Sequence, residues 1–252
     1  MGPGRARGGA GGDGVNFLGW LFDPAHWSGA GSIPQRLVEH IGYTALTMLI
    51  AIVIAVPLGA WIGHTGKGGF LVVGSANGLR ALPTLGVLIL LVQWIGLGIV
   101  GPLIALVLLA VPPVLAGTYA GVRNVDASVV DAARGMGMRG REILFGVELP
   151  NALPLITGGV RSSVLQVIST ATIAAYVGLN GLGRYIIDGL STRDFPQMIA
   201  GSILVALLAV VADLVLAGLQ KLLVSPGLQT GGTTRRVRAL ATRSTDTAAQ
   251  AA

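Results

Sequence analysis

Asp131-Ala132-Ala133-Arg134-Gly135-Met136-Gly137-Met138-Arg139-Gly140-Arg141-Glu142-Ile143-Leu144-Phe145-Gly146-Val147-Glu148-Leu149-Pro150 is a polar, basic stretch set between long apolar segments. An acid and two alanines open it, Gly137 follows, and nine residues later come Val147 and then Leu149-Pro150. Just upstream, Asp126 and Ser128 are good N-cap residues for a helix through Val130, Ala132 and Ala133. Small side chains at 132 and 133 let such a helix lie close against a partner. Gly137 and Gly140 each lower helix propensity by about 1 kcal/mol relative to alanine, so a break is expected near Gly137. Ile143, Leu144 and Val147 resume helical spacing, and Leu149-Pro150 is expected to end the segment.

The apolar segments outside this stretch decide the class. Of 252 residues, 52% are hydrophobic and 11% charged, against about 25% charged in soluble domains. Mean hydropathy is +0.75. An all-α integral membrane protein with about five core spans is expected. With no cysteine, disulfides and thiolate metal sites are excluded. His26, His40 and His64 are far apart in the chain, so no metal site is expected among them.

Residues 1–16, rich in Gly and Arg, are expected to be a disordered tail rather than a cleavable signal. Residues 17–40 mix Trp20, Phe22 and Trp27 with Pro, Gly and polar residues, as an amphipathic interfacial segment does. The transmembrane domain is placed at 41–224, its first span over 41–63. Residues 70–82 are ambiguous, either half of a kinked helix or a separate interfacial one. Apolar runs follow at 84–95, 101–122, 155–177 and 198–222, the run at 101–122 bent by Pro112-Pro113. The polar loop occupies 123–150, a glycine-rich loop 178–196, and a basic tail, also expected to be disordered, 225–252.

Five spans put the chain ends on opposite sides. With the polar loop inside, Lys67, Arg123, Arg134, Arg139, Arg141, Lys221, Arg235, Arg236, Arg238 and Arg243 face the cytoplasm. Arg5, Arg7, Arg36, Arg184 and Arg193 lie outside. Ten against five follows the positive-inside rule, so the +6 net charge reports topology rather than nucleic-acid binding.

The spacing Asp131-Ala132-Ala133, three residues, Gly137, nine residues, Val147-x-Leu149-Pro150 closely resembles the signature loop of ABC importer permeases. That family's pattern has Glu at the first position and Ile at the position of Val147. Arg80-Ala81-Leu82-Pro83-Thr84, Gly178 to Gly183 and the sequence from Gly189 through Asp213 are similar to permeases for glycine betaine, carnitine and choline. The likeness covers roughly residues 37 to 226. It implies a type I importer permease of the bacterial inner membrane, with the loop docking as a short cytoplasmic helix on an ATPase. Asp131, Ala132, Ala133, Gly137, Arg139, Val147, Leu149 and Pro150 would carry that coupling. The implied partners are a second permease chain, identical or homologous, two cytoplasmic ATPase subunits and an extracytoplasmic substrate-binding protein. ATP and Mg would sit on the ATPases, leaving this chain without a cofactor and without catalysis. A methionine-type amino-acid permease is the alternative within the class.

Other polar residues carry weaker signals. Asn77, Pro83, Thr84, Ser169 and Thr172 are candidates to line a translocation path, or, with Thr170, to let helices approach closely. Asp213, within the last span, is either a functional carboxylate or a helix-packing residue. Arg80 and Arg161 are placed to snorkel toward the inner surface. An ion-coupled secondary transporter would need several such acids or histidines along a path, and Asp213 is the one present. Gly178-Leu179-Asn180-Gly181-Leu182-Gly183 follows a span rather than a strand, which excludes a dinucleotide fingerprint. No phosphate-binding Gly-x-x-x-x-Gly-Lys-Ser/Thr loop is present. Aromatic residues are 5% of the chain, so cargo selectivity is expected to lie with the binding protein.

Overall fold

The computed structural model describes residues 16–70, 72, 74, 78 and 81–224. The expectations for the tails at 1–15 and 225–252, for Asn77 and Arg80, and for most of the ambiguous 70–82 stretch fall outside the described residues. Among those described, every regular element is helical.

A short helix, α1 (Phe17–Leu21), leads through a 3-10 turn to α2 (Ile33–Thr65). Pro34 in the first turn of α2 suits a position whose N–H has no helical partner. At 33 residues, α2 is about 50 Å long, well beyond a hydrocarbon core of ~30 Å. The expected boundary at 40/41 is therefore not a break. Residues 33–40 are the first turns of the spanning rod, and only residues before 33 form a separate amphipathic piece.

Next come α3 (Thr84–Ile95), α4 (Val100–Arg123), α5 (Ala127–Gly135) and α6 (Gly140–Ile143). A π turn over Leu144–Glu148 joins α6 to α7 (Leu149–Ala174), giving one rod over Gly140–Val177. The segment does not end at Leu149-Pro150 as expected. Pro150 can neither donate to the Gly146 carbonyl nor sit against it, and the wide π turn makes room, with Leu149 N–H bonding to Leu144 O. The chain closes with α8 (Gly183–Thr192) and α9 (Phe195–Leu223). Among the described residues, four helices are long and apolar enough to cross a membrane: α2, α4, the Gly140–Val177 rod and α9. The fifth apolar segment, α3, has only 12 residues, about 18 Å of helix.

The centre is the close approach of α2, α4 and α7. A Cβ on Gly59 would lie 2.8 Å from the Thr118 side chain, and one on Gly63 2.8 Å from Val122. On the other side of α4, a Cβ on Gly117 would meet the Leu155 carbonyl at 2.8 Å, and one on Gly159 the Pro113 carbonyl at 2.7 Å. Small residues bring three backbones together, as lipid-embedded helices require. Leu88, Leu106, Val114, Val167 and Ile168 fill the remaining core. Helix α4 runs unbroken through Pro112-Pro113. Pro113 leaves Leu109 O without its helical donor, and Gln166 Nε2 of α7 donates to it at 3.4 Å. Helix α9 packs on α8 and α7, but only 11% of its most apolar stretch is buried. Most of its surface is therefore left for lipid or another chain.

Candidate functional site

The 123–150 loop is built from two capped helices. The Asp126 carboxylate accepts from Ser128 N–H at 2.9 Å and starts α5. Hydrogen bonds from the backbone and side chain of Ser128 hold that carboxyl below its usual range. At the far end of α5, Gly137 N–H bonds to Arg134 O at 2.9 Å and Met138 N–H to Ala133 O at 3.2 Å. That pair of bonds is a Schellman closure, with Gly137 as its left-handed residue at φ +84°. The break expected near Gly137 is therefore present, and its cause is backbone handedness: a Cβ on Gly137 would meet nothing within 4 Å. Two residues on, Arg139 N–H donates to Glu142 Oε2 at 2.7 Å and starts α6.

The motif residues divide by direction. Asp131 and Ala132 face outward on α5, while Ala133 is buried. Asp131 pairs with Arg134 at 3.3 Å, both well exposed, an arrangement that contributes little to stability. Arg139 and Pro150 are exposed, and Val147 and Leu149 half-buried. Leu144 and Leu149 pack against Ala60, Val122, Ala152 and Ile156, fixing the loop to the ends of α2, α4 and α7. A polar cavity of about 200 Å³ lies beneath α5, lined by His64, Arg123, Asp131, Arg134 and Glu148 among others.

The path candidates are less connected. Pro83 is the exposed N-cap of α3 and Thr84 its first, half-buried residue. Ser169 and Thr172 turn their hydroxyls back to their own helix, onto Leu165 O and Ile168 O. Ser169 is nonetheless exposed on α7, with Ile173 and Tyr176 following at helical spacing. Neither Ser169 nor Thr172 lines the polar cavity, or the wholly apolar one of about 250 Å³ between α2, α7 and α9.

Several contacts were not anticipated. Arg161 does not snorkel: its Nε and Nη2 donate to Asp213 Oδ1 and Oδ2, the second bond at 2.6 Å, tying α7 to α9. Asp213 is thus a helix-linking residue. His64 Nδ1 lies 2.6 Å from Glu148 Oε2. The signal for that pair was an acid inside the apolar run 143–149, which a packed helix has to match with a donor. At the opposite end of the bundle, the glycine-rich stretch contains a helix, α8. Leu182, Tyr185 and Gly189 turn inward at helical spacing. Tyr185 Oη donates to Gly31 O at 2.6 Å, Trp20 meets its ring edge-on at 5.1 Å, and Arg36 lies over it at 5.2 Å. Burial pushes the Tyr185 hydroxyl pKa up. The segment before α2 is therefore docked on α8 and α9, while Phe22 and Trp27 remain exposed.

Residues 51–225 match the family described as binding-protein-dependent transport system inner membrane component. The chain belongs to that family. It is the permease component of an ABC importer and a multi-pass membrane protein. The glycine betaine/carnitine/choline transport system permease protein OpuCB of Bacillus subtilis is 34% identical over 79% of this chain and 92% of its own length. The osmoprotectant import permease protein OsmW of Salmonella typhimurium is 33% identical over 82% of this permease and its own full length. In fold, the permease is similar to the inward-facing MetNI methionine ABC transporter. The TM-score is 0.69 at 18% identity, over 77% of this chain and 97% of that one.

Proposed function

We propose that this permease imports small osmoprotectants of the glycine betaine, choline and carnitine class, and that residues 127–150 are its docking surface for a cytoplasmic ATPase. One observation carries the docking assignment: Asp131 to Ala133 sit on a capped, largely outward-facing helix, and the same loop continues through Leu144 and Leu149, which are packed into the ends of three helices. ATP and Mg belong to the ATPase subunits, two of which serve a pair of permease chains, and an extracytoplasmic binding protein delivers cargo. ATP-driven approach of the ATPases draws the two docking helices together and favours the outward-open state. Hydrolysis restores the other, a shift between two states by differential contacts. The C-terminus and docking loop are cytoplasmic.

The cargo class rests on relatives named for these compounds that are about one-third identical over most of the chain. An ion-coupled mechanism is disfavoured because Asp213, the acid within the last span, is bound to Arg161. Uptake of labelled glycine betaine, choline, carnitine and methionine tests the cargo. The measurement uses cells lacking their own importers for these compounds and expressing this permease with its ATPase and binding protein. Uptake of a quaternary ammonium compound is expected. Methionine uptake with none of the other three sinks the cargo assignment.

A further inference from the structure

We propose that His64 and Glu148 are the positioning pair through which the docking loop moves the first span. The inference rests on the docking role given above to residues 127–150. His64 is in the last turn of α2, and Glu148 is in the π turn of the rod that begins within the loop. Eighty-four residues separate them in the chain, and 2.6 Å separates Nδ1 from Oε2. The Glu148 side chain is 7% exposed and that of His64 22%. A carboxylate so buried needs a donor, and His64 provides it. The same imidazole is approached by the first residue of the rod: a Cβ on Gly140 would lie 3.3 Å from Nε2. The ring thus lies beside the start of α6 and is bonded at the π turn two turns later.

Helix α5 rests on this part of the rod, so force on α5 passes into residues 140–148. The apolar contacts of Leu144 and Leu149 with Ala60 and Val122 can slide. A buried charge-assisted hydrogen bond is directional and cannot slide without breaking. The polar cavity beside the pair, which also holds Arg123, Asp131 and Arg134, leaves space for α5 to shift without shearing the dry core. His64–Glu148 is therefore where displacement of the loop becomes displacement of α2. Both act in this proposal through the helices they join, as positioning residues.

The test uses the complete complex of permease, ATPase and binding protein in lipid vesicles. It reads ATP hydrolysis with cargo-loaded binding protein, divided by hydrolysis without it. His64→Leu is expected to lower this ratio by about threefold or more, while the ATPase still co-purifies with the permease. His64→Asn carries an amide nitrogen where Nδ1 stood and is expected to retain most of the ratio. Glu148→Leu should match His64→Leu, and the double variant should be no worse than either, because the lost interaction is shared. A wild-type ratio in His64→Leu, or a defect in His64→Asn as deep as in His64→Leu, overturns the proposal. If His64→Leu does not reach the membrane, Glu148→Gln and Glu148→Ala decide. The first keeps an acceptor and should stay coupled, the second should not, and equal ratios overturn it. Gly137→Leu measured in parallel separates the two readings. Normal coupling there removes the docking role itself, whereas uncoupling there beside a normal His64→Leu removes only the pair.

Discussion

Gly137 and Asp126 show how single residues shape the 123–150 loop. An L-residue at Gly137's φ of +84° costs roughly 1–2 kcal/mol, although the space around it is open. Asp126 matters through its charge. Its folded carboxyl pKa lies below the usual value because the ionised form accepts from Ser128. The stabilisation is therefore present above the unfolded pKa of about 3.9 and is lost as pH falls through the lower folded value. Amide exchange over residues 128–131, corrected for intrinsic rates, is expected to be flat from neutral pH to about 5 and to accelerate only under more acidic conditions. In Asp126→Asn the acceleration should vanish, and its persistence would locate the titrating group elsewhere. The cap and the break at Gly137 were legible in the sequence because each is local. The Glu148–His64 contact was not, because a partner 84 residues away leaves no spacing to read.

At the level of elements, the membrane helices were legible from long uncharged runs, and their ends were not. Proline marked one error: Pro150 was read as a terminus, yet the π turn carries the helix past it. Pro112-Pro113 was read as a bend; the helix continues through both, and a side chain from α7 satisfies the freed carbonyl. That partner is a tertiary neighbour, which leaves no local signal to read. The helix α8 was hidden among glycines that serve contact rather than turning: a Cβ on Gly189 would meet the Met198 side chain at 2.8 Å. The Arg161–Asp213 link between α7 and α9 gives a prediction at this scale. Asp213→Leu strands a guanidinium among apolar helices and should reduce the yield of monodisperse protein in detergent. Adding Arg161→Leu should restore much of that yield, because removing both charges leaves nothing unpaired. Size-exclusion profiles of the two variants compare them, and a double variant no better than the single one contradicts a structural pairing.

For the whole molecule, the bundle has two unlike ends. One carries the capped 123–150 loop and the polar cavity beneath it. The other carries α8 and the aromatic contacts of Trp20 and Tyr185. The proposed topology, argued from the distribution of basic residues, has the first end in the cytoplasm. The chain has no native cysteine, so Ser128→Cys and Ser191→Cys, both at exposed positions, report on the two ends directly. In intact spheroplasts a membrane-impermeant maleimide is expected to label position 191 and not 128. The reverse pattern inverts the topology and removes the docking helix from any cytoplasmic ATPase.

The docking role of residues 127–150 is tested most directly by coupled ATP hydrolysis in Gly137→Leu complexes reconstituted with ATPase and binding protein. Gly137 closes α5 and sets the angle at which the loop turns back to the membrane, and it lies outside the packed core. The variant should reach the membrane at normal levels. Its ATPase should associate more weakly, or hydrolyse ATP without responding to cargo-loaded binding protein. Asp131→Ala, which loses only an exposed ion pair, should show a milder defect. Wild-type stimulation of ATP hydrolysis in Gly137→Leu, with normal ATPase association, would contradict the assignment of this loop as the coupling surface.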